Sequence, residues 1–294
     1  MIEVKFEDLL GTGAHFGHVT RKWHPNYKKY ILLEKNGVHI INLDHTVKEI
    51  SKAINFILGK VEKNGEVLFI GTKKQAKDIV QQEADKCGMF YIVERWLGGS
   101  LTNFTTIKKS IKRLKILEKE GSDLFEDLTK KEIQMLNREK VKLSDQHRGI
   151  KDMRRLPDVI VIVDAQYEDT AIKEAKSLNI PIVAIVDSNT DPNKVDYPIP
   201  ANDDSIRTIQ LIISAISSSI LELKDSKKDN LNSKDKNLNE LSNKTAVAET
   251  AAAETAAAET EVAETEVAET EVAETAAAET EVAETAAETE AAET

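Results

Sequence analysis

Two uninterrupted apolar runs constrain the fold of this chain more than any other feature. The first is Val159–Val163 and the second is Ile180–Val186, and an aspartate follows each run, Asp164 and Asp187. Runs of β-branched residues without alternation are typical of strands in a parallel sheet that helices cover on both faces. Apolar residues at helical spacing from 171 to 178 predict a crossover helix between the two strands. Strand, helix and strand in about 30 residues form a βαβ unit, so we predict an α/β protein.

The upstream sequence predicts further elements of the same kind. Asn36-Gly37 separates two apolar runs. Because Asn-Gly favours a two-residue turn, 30–43 is predicted as a hairpin. Thr46 and Glu49 have the spacing of a capping box and predict a helix start. Val67–Ile70 is predicted as a strand, and an apolar stripe from 206 to 220 as the last helix.

Charge is unevenly distributed along the 294 residues, whose net charge is -11. The residues from Ala246 onward contain 15 glutamates and no basic residue, so the first 245 residues hold 40 basic and 36 acidic side chains, a net charge of +4. A mildly basic folded part permits a polyanionic partner. The single cysteine, Cys87, excludes a disulfide framework and is predicted to lie in the core. An acidic N-terminus and the lack of an apolar run near ~20 residues predict a cytosolic protein without a membrane contact.

The segment 104–154 differs in kind from the rest. Narrow apolar stripes spaced by three and four precede and follow Gly121, which predicts a two-helix antiparallel coiled coil inserted into the sheet domain. A solvated helix face usually balances basic residues with acidic ones. This segment has an excess of basic residues, which we interpret as a phosphate-binding surface. The insertion cations predicted to contact RNA are Lys108, Lys109, Lys112, Arg113, Arg148, Lys151 and Arg154.

Three shorter segments also combine cations with features that suit RNA. In the first, cations bracket two aromatic rings, a usual RNA-contact composition, although a solvated loop with a buried tryptophan has the same pattern. In the second, lysines follow a strand and Gly71 at a helix start, which favours phosphate; the second glycine and the Lys-Ser or Lys-Thr pair of a Walker loop are absent. The third begins the turn before the insertion. The residues predicted to contact RNA here are Arg21, Lys22, Trp23, Tyr27, Lys28, Lys29, Lys73, Lys74 and Arg95.

Metal binding and catalysis are the competing interpretations. His15, His18 and His24 have no acidic or cysteine partner near them in sequence, so we predict core or loop histidines and no metal or cofactor. Asp164 and Asp187 follow parallel strands, where α/β folds bind ligands, and two acids there could hold magnesium. The sequence shows no nucleophile with an adjacent base. We therefore predict turn-forming aspartates and a protein that is not an enzyme.

The C-terminal part repeats Ala-Glu-Thr every five residues from Ala248 to Thr285. Without aromatic residues and with only negative charge it cannot bury a core, so we expect a disordered acidic tail. The predicted organisation is an α/β sheet domain formed by 1–103 and 155–224, the insertion at 104–154, and a linker with the tail at 225–294.

Six motifs along the chain resemble a known family. In order they are Leu9–His18, Phe69–Ala76, Arg95–Phe104, Gly149–Met153, Leu156–Asp158 and Asp196–Asp204. They are similar to the successive signatures of the S-two family of bacterial small-subunit ribosomal proteins, over about residues 1 to 224. The segments Lys22–Tyr27 and Gln146–Gly149 depart from the family pattern but keep their basic charge.

The resemblance implies a fold and a function. The fold would be a flavodoxin-like parallel sheet flanked by helices, with a coiled-coil insertion. The protein would be a structural constituent of the small ribosomal subunit in the cytoplasm, bound to small-subunit ribosomal RNA and to other small-subunit proteins. It would also help dock the large messenger-binding ribosomal protein, S-one, and would have no catalytic activity.

Overall fold

The computed structural model describes residues 4–119 and 129–227. Contacts divide the chain into two units, 1–226 and 227–294. The predicted disordered tail and the turn at Gly121 lie outside the described residues and stay predictions. The helices are α1 (Phe6–Thr12), α2 (Leu43–Val61), α3 (Lys77–Cys87), α4 (Phe104–Glu118), α5 (Lys130–His147), α6 (Asp169–Ser177) and α7 (Ile206–Lys227). The strands are β1 (Phe16–Val19), β2 (Ile31–Lys35), β3 (Val38–Ile41), β4 (Val67–Ile70), β5 (Phe90–Ile92), β6 (Val159–Val163), β7 (Ile182–Val186) and β8 (Tyr197–Pro200).

Five of these strands form one parallel sheet. Their order is β5-β4-β6-β7-β8, and every neighbouring pair is parallel. Numbered along the chain, this is 2-1-3-4-5, the strand order of flavodoxin-like doubly wound sheets. The predicted α/β fold with a parallel sheet flanked by helices is confirmed.

Alternate strand residues enter two separate hydrophobic cores, one on each face of the sheet. Phe69, Val161 and Ile185 pack with the buried residues of α2, α3 and α7. Leu68 and Ile160 face the opposite way and pack with α6 and the beginning of α4. All residues of β4, β6 and β7 are buried. The runs are apolar without alternation because neither face meets water.

Helix α7 is the only described helix that is long and apolar enough to cross a membrane by length and composition. Half of its most apolar window is buried inside the protein. Ile209, Ile213, Ile216 and Ile220 on that buried face belong to the core on one side of the sheet. The helix therefore occupies the position of a core helix.

A small antiparallel sheet, ordered β1-β3-β2, precedes the main sheet. Asn36 and Gly37 have φ values of 54° and 72°, the left-handed conformation that a tight hairpin turn between β2 and β3 requires. The predicted hairpin is confirmed, whereas β1 was not predicted. Strand β1 lies in the glycine-rich segment. A Cβ on Gly17 would lie 2.8 Å from Ser188 Oγ, so only glycine allows β1 to approach the end of β7 this closely.

The predicted helix start at Thr46 is wrong. Helix α2 begins at Leu43, and Asn42 caps it by accepting a hydrogen bond from the Asp44 amide at 3.0 Å. Thr46 lies inside the helix, and its hydroxyl donates to the Pro200 carbonyl at 2.5 Å. Thr46, which has the sequence pattern of a helix cap, thus links α2 to β8.

Helices α4 and α5 contact one another and form the insertion. The apolar stripe of α4 is buried at Ile107, Ile111, Leu114 and Leu117, whereas His147 is the buried residue of α5. The helical nature of the insertion is as predicted. Its coiled-coil geometry stays a prediction, because 120–128 lie outside the described residues.

Glu174 on α6 fixes the turn from which the insertion begins. Its carboxylate accepts hydrogen bonds from Trp96 Nε1 at 3.0 Å and from the Gly99, Leu101 and Thr102 amides at 2.8, 3.1 and 3.2 Å. Burial alone raises the pKa of this carboxyl, but its donors lower the pKa below the ordinary value. Hydrogen bonds to a charged acceptor are strong, so this carboxylate satisfies the donors of the turn in place of water.

Removing this carboxylate should weaken the fold. We predict that Glu174→Ala lowers the free energy of unfolding by about 3 kcal/mol at neutral pH, because several buried donors lose their acceptor. Urea unfolding measures this loss, and Glu174→Gln, which retains one acceptor oxygen, should lose less. Because the folded-state pKa is depressed, the stabilisation is present above the ordinary pKa of 4.5 and is lost as the pH falls through the folded value. An unchanged unfolding midpoint for Glu174→Ala at neutral pH would contradict this role.

Candidate nucleic-acid interface

Five cations line a surface groove of about 450 Å³ at the base of the insertion. We call it the basal groove, and it lies between α4 and the segment that returns from α5 to the sheet. Its cations are Lys108, Lys112, Lys115, Lys151 and Arg154, and Asp152 is its only acidic lining residue. Four of these cations were predicted to contact RNA, and Lys115 is a further cation that the structure adds to them. A concave surface with this excess of positive charge attracts polyanions.

Internal contacts orient some of these cations and leave others open to solvent. Lys108 Nζ donates to the Arg154 carbonyl at 2.5 Å, and Lys115 Nζ contacts Asp152 Oδ1 at 3.0 Å. Lys151 is paired with Glu118. Lys112 and the Arg154 guanidinium are exposed, and neither has an ion pair with an acid of the described ranges. These two side chains are the groove cations best placed to meet phosphate.

The remaining predicted cations of the insertion divide into free and paired groups. Lys109 is exposed on α4. Arg113 donates to both carboxylate oxygens of Glu139, at 3.1 and 3.2 Å, and Arg148 contacts Glu94 at 3.4 Å. Exposed pairs of this kind contribute little to stability, so a phosphate could replace the carboxylate partner at small cost.

The N-terminal cations surround a short 3-10 helical region. Arg21, Lys22, Lys28 and Lys29 are exposed. The Trp23 ring is half-buried, with its centroid 5.2 Å from that of His39. The segment therefore offers charge and one partly open ring edge. Lys74 and Arg95 are also exposed, at other positions on the surface.

Tyr27 does not lie at the surface, and its position contradicts direct contact with RNA. The side chain is 0% exposed, and its hydroxyl donates to the Val186 carbonyl at 3.0 Å. Burial raises the pKa of its phenol well above the ordinary value. Tyr27 therefore supports the N-terminal segment from within the core, where its ring packs near β7. The sequence alone did not show this burial.

Lys73 is likewise committed inside the protein, contrary to the predicted phosphate contact. Its Nζ lies 3.0 Å from Asp164 Oδ2, 2.8 Å from Asp203 Oδ1 and 2.7 Å from Asp204 Oδ1. Burial by itself lowers the pKa of this ammonium, but its carboxylate partners raise it above the ordinary value. Three carboxylates surround one ammonium, so an added phosphate would meet net negative charge.

His18 joins this acidic cluster at the carboxyl edge of the sheet. Its Nδ1 lies 2.8 Å from Asp187 Oδ2, and its Nε2 lies 3.7 Å from Asp204 Oδ2. The hydrogen bond with Asp187 raises the pKa of the imidazole, even though burial opposes the change. Burial, together with the charges of Asp164 and Asp187, raises the pKa of Asp203 to about 7. These acidic partners of His18 lie far from it in sequence, so the sequence alone did not place them near the histidine.

The cluster contains a donor set that fits a divalent cation. One ligand atom each from His18, Asp203 and Asp204 lie within 4.8 Å of one another. A set of one imidazole nitrogen and two carboxylate oxygens suits a divalent transition-metal ion better than it suits magnesium. Asp164 serves another purpose: its Oδ1 accepts from the Gln166 and Tyr167 amides at 3.0 Å each, as a turn-forming aspartate should. The histidine motif and Asn202-Asp-Asp204 were both visible in the sequence. They are far apart along the chain, and only the strand order shows that they lie close together.

Comparison with known protein families shows which family this chain matches. A family model described as Ribosomal protein S2 matches residues 9–222, well over half of the chain. The chain belongs to the ribosomal protein S2 family. The resemblance drawn from the sequence motifs is confirmed, over nearly the same residues.

Membership of the ribosomal protein S2 family implies a structural constituent of the small ribosomal subunit that takes part in translation. It also implies association with ribosomal RNA and small-subunit proteins, and the family is generally without enzymatic activity. In that context the basal groove and the exposed N-terminal cations are the described surfaces that complement a polyanion.

The corrected position of Tyr27 gives a testable difference. We predict that Tyr27→Phe lowers the free energy of unfolding by about 1 kcal/mol, because the phenol loses its hydrogen bond to the Val186 carbonyl. Affinity for small-subunit RNA should stay unchanged, since the ring is inaccessible. Thermal unfolding and filter binding provide the two readouts. A large loss of RNA affinity with unchanged stability would restore Tyr27 to the RNA-contact set.

Proposed function

We propose that this chain binds small-subunit ribosomal RNA through the basal groove, with the N-terminal cations as a second contact, and acts without catalysis. The observation that carries the proposal is the groove itself, in which five cations face one acid. Lysine and arginine side chains neutralise phosphates and release counterions, which supplies sequence-independent affinity. The concave shape adds orientation, because several phosphates of a folded RNA must meet the cations together.

The distribution of partners supports a phosphate surface over a protein scaffold. Lys109, Lys112 and the Arg154 guanidinium are exposed without an acidic partner among the described residues. Exposed lysines on stable helices that serve only solvation usually alternate with acids. At the sheet edge, by contrast, the ammonium of Lys73 already contacts Asp164, so one of the two acids of the competing magnesium interpretation has an internal cation as its partner.

Contact with other small-subunit proteins forms the second part of the proposal. The resemblance implies that the chain helps dock S-one, and the small N-terminal sheet supports a protein contact. Leu33 and Phe16 both pair with Ile40 on β3 and are 47% and 50% exposed. Exposed apolar rows of this kind favour protein partners. Subunits that carry Leu33→Ser should retain less S-one after sedimentation, whereas equal retention would contradict this surface.

Neutralising the two groove cations that lack an acidic partner, together with the exposed Lys109 on the same helix, should weaken RNA binding in a salt-dependent manner. We predict that this groove variant, Lys112→Gln and Arg154→Gln combined with Lys109→Gln, reduces affinity for purified small-subunit RNA at least roughly tenfold at low salt. The slope of log affinity against log salt should fall by about one for each phosphate that the variant no longer neutralises. Filter binding across a salt series measures both quantities.

The matched control changes the same charge elsewhere. Lys52, Lys86 and Lys173 are 63%, 62% and 75% exposed, lie on α2, α3 and α6, and pair within their own helices. Their triple glutamine variant should keep the affinity and the salt slope. Equal losses in both triple variants would show a dependence on net charge alone, and unchanged binding in the groove variant would favour the scaffold interpretation.

A further inference from the structure

A second groove, of about 630 Å³, lies between α5 and the end of β5. One face of α5 supplies most of its lining, at positions spaced by three and four along the helix. Gln134, Asn137 and Val141 follow this face, and Arg95 closes the opposite side from the turn after β5. We call it the amide groove, because side-chain amides and not only cations line it.

Five polar side chains of the amide groove have no partner within the described protein. Gln134, Asn137, Arg138, Lys142 and Arg95 are exposed and make no side-chain hydrogen bond or ion pair with residues of 4–119 or 129–227. Val141 is 61% exposed, so an apolar surface lies beside the amides. Amides offer a donor and an acceptor side by side. The groove therefore presents unused hydrogen-bonding groups around an apolar floor.

The charge of the groove is positive where a phosphate would lie. Arg95, Arg138 and Lys142 supply cations. Of the two acids, Glu94 is already held by Lys77 at 2.7 Å and by Arg148 at 3.4 Å. Asp145 is the other acid of the lining. The cations thus exceed the one acid that lacks a cationic partner.

We propose that the amide groove binds a single unpaired nucleotide of the RNA, with Gln134 and Asn137 contacting the edge of its base. Proteins recognise single-stranded RNA by taking up splayed bases, stacking them on arginine planes and bonding their edges. Arg95 and Arg138 provide such planes, Val141 contacts the base face, and Lys142 meets the phosphate. The adjacent donor and acceptor of a side-chain amide match the edge of adenine, which makes adenine the favoured base.

This inference rests on the proposed RNA-binding function and assigns a different role to each groove. The basal groove holds phosphates by charge, so its variants change the salt dependence. The amides Gln134 and Asn137 of the amide groove would contribute neutral hydrogen bonds, which do not release counterions. The salt slope therefore separates the two contributions.

The test uses the full-length chain, purified small-subunit RNA and filter binding across a salt series. Gln134→Ala and Asn137→Ala should each weaken binding about threefold to tenfold, with an unchanged salt slope. Alanine favours helices, so both variants keep α5. Gln82→Ala, an exposed amide on α3 outside the groove, is the matched control and should bind as wild type. Short oligoadenylate should compete better than oligouridylate for the wild type, and the double variant should lose this preference.

Lys112→Gln serves as the reference for the underlying function. If it weakens RNA binding while both amide variants bind as wild type, the amide groove does not read a base and the proposed function stands. A reduced salt slope in the amide variants would also overturn the inference, because it would indicate phosphate contact only. Loss of a small-subunit protein from variant subunits, with RNA binding intact, would reassign the groove to a protein. If neither Lys112→Gln nor the amide variants change RNA binding, the proposed function fails as well.

Discussion

Helices cover both faces of the five-stranded parallel sheet, and the rest of the molecule follows from this burial. Alternate residues of each strand enter two separate cores, so the strands have no free face with which to bind a partner. Recognition must then use the edges of the sheet or segments that leave it. The carboxyl edge, where α/β folds usually bind ligands, holds Lys73 among three carboxylates. The insertion therefore carries the main surface that we propose for a polyanion.

The position of that surface depends on how the insertion is anchored. At its beginning, Glu174 binds the turn that leads into α4. At its return, a Cβ on Gly149 would lie 2.2 Å from the Tyr91 carbonyl, so only glycine lets the chain cross β5 at this distance. These two contacts, on different elements, lie at the two segments that border the basal groove. Contacts that orient a site before binding reduce the entropy lost on binding.

Sequence predicted the elements that local physics determines. The apolar runs of β6 and β7 reveal burial on both faces, and Asn36-Gly37 carries its own turn preference. The helical insertion and most groove cations follow from spacing and charge alone. Thr46 shows the limit of local patterns, because Asn42, earlier in the chain than the pattern favoured, performs the capping. The Thr46 hydroxyl instead finds a partner on β8, far along the chain.

The two corrected RNA contacts, Tyr27 and Lys73, and the acidic partner of His18 all depend on residues distant in sequence. Tyr27 bonds to Val186, Lys73 to Asp164 and Asp203, and His18 to Asp187. A cation beside aromatic residues has the same sequence pattern whether it faces RNA or the core, and only the strand order decides between them. Burial also makes these internal contacts favourable, since a charge removed from water needs a compensating partner. Lys109, Lys112 and the Arg154 guanidinium, by contrast, are exposed and have no acidic partner among the described residues.

We propose that charge holds this chain to small-subunit RNA, and the decisive measurement is sedimentation of a native lysate. The lysate is run on gradients at low and at high salt, and each fraction is probed for the chain and for small-subunit RNA. We expect the chain to migrate with the small subunit at low salt and to be released as the salt concentration rises. If the chain stays at the top of the gradient at both salt concentrations, charge does not hold it to small-subunit RNA.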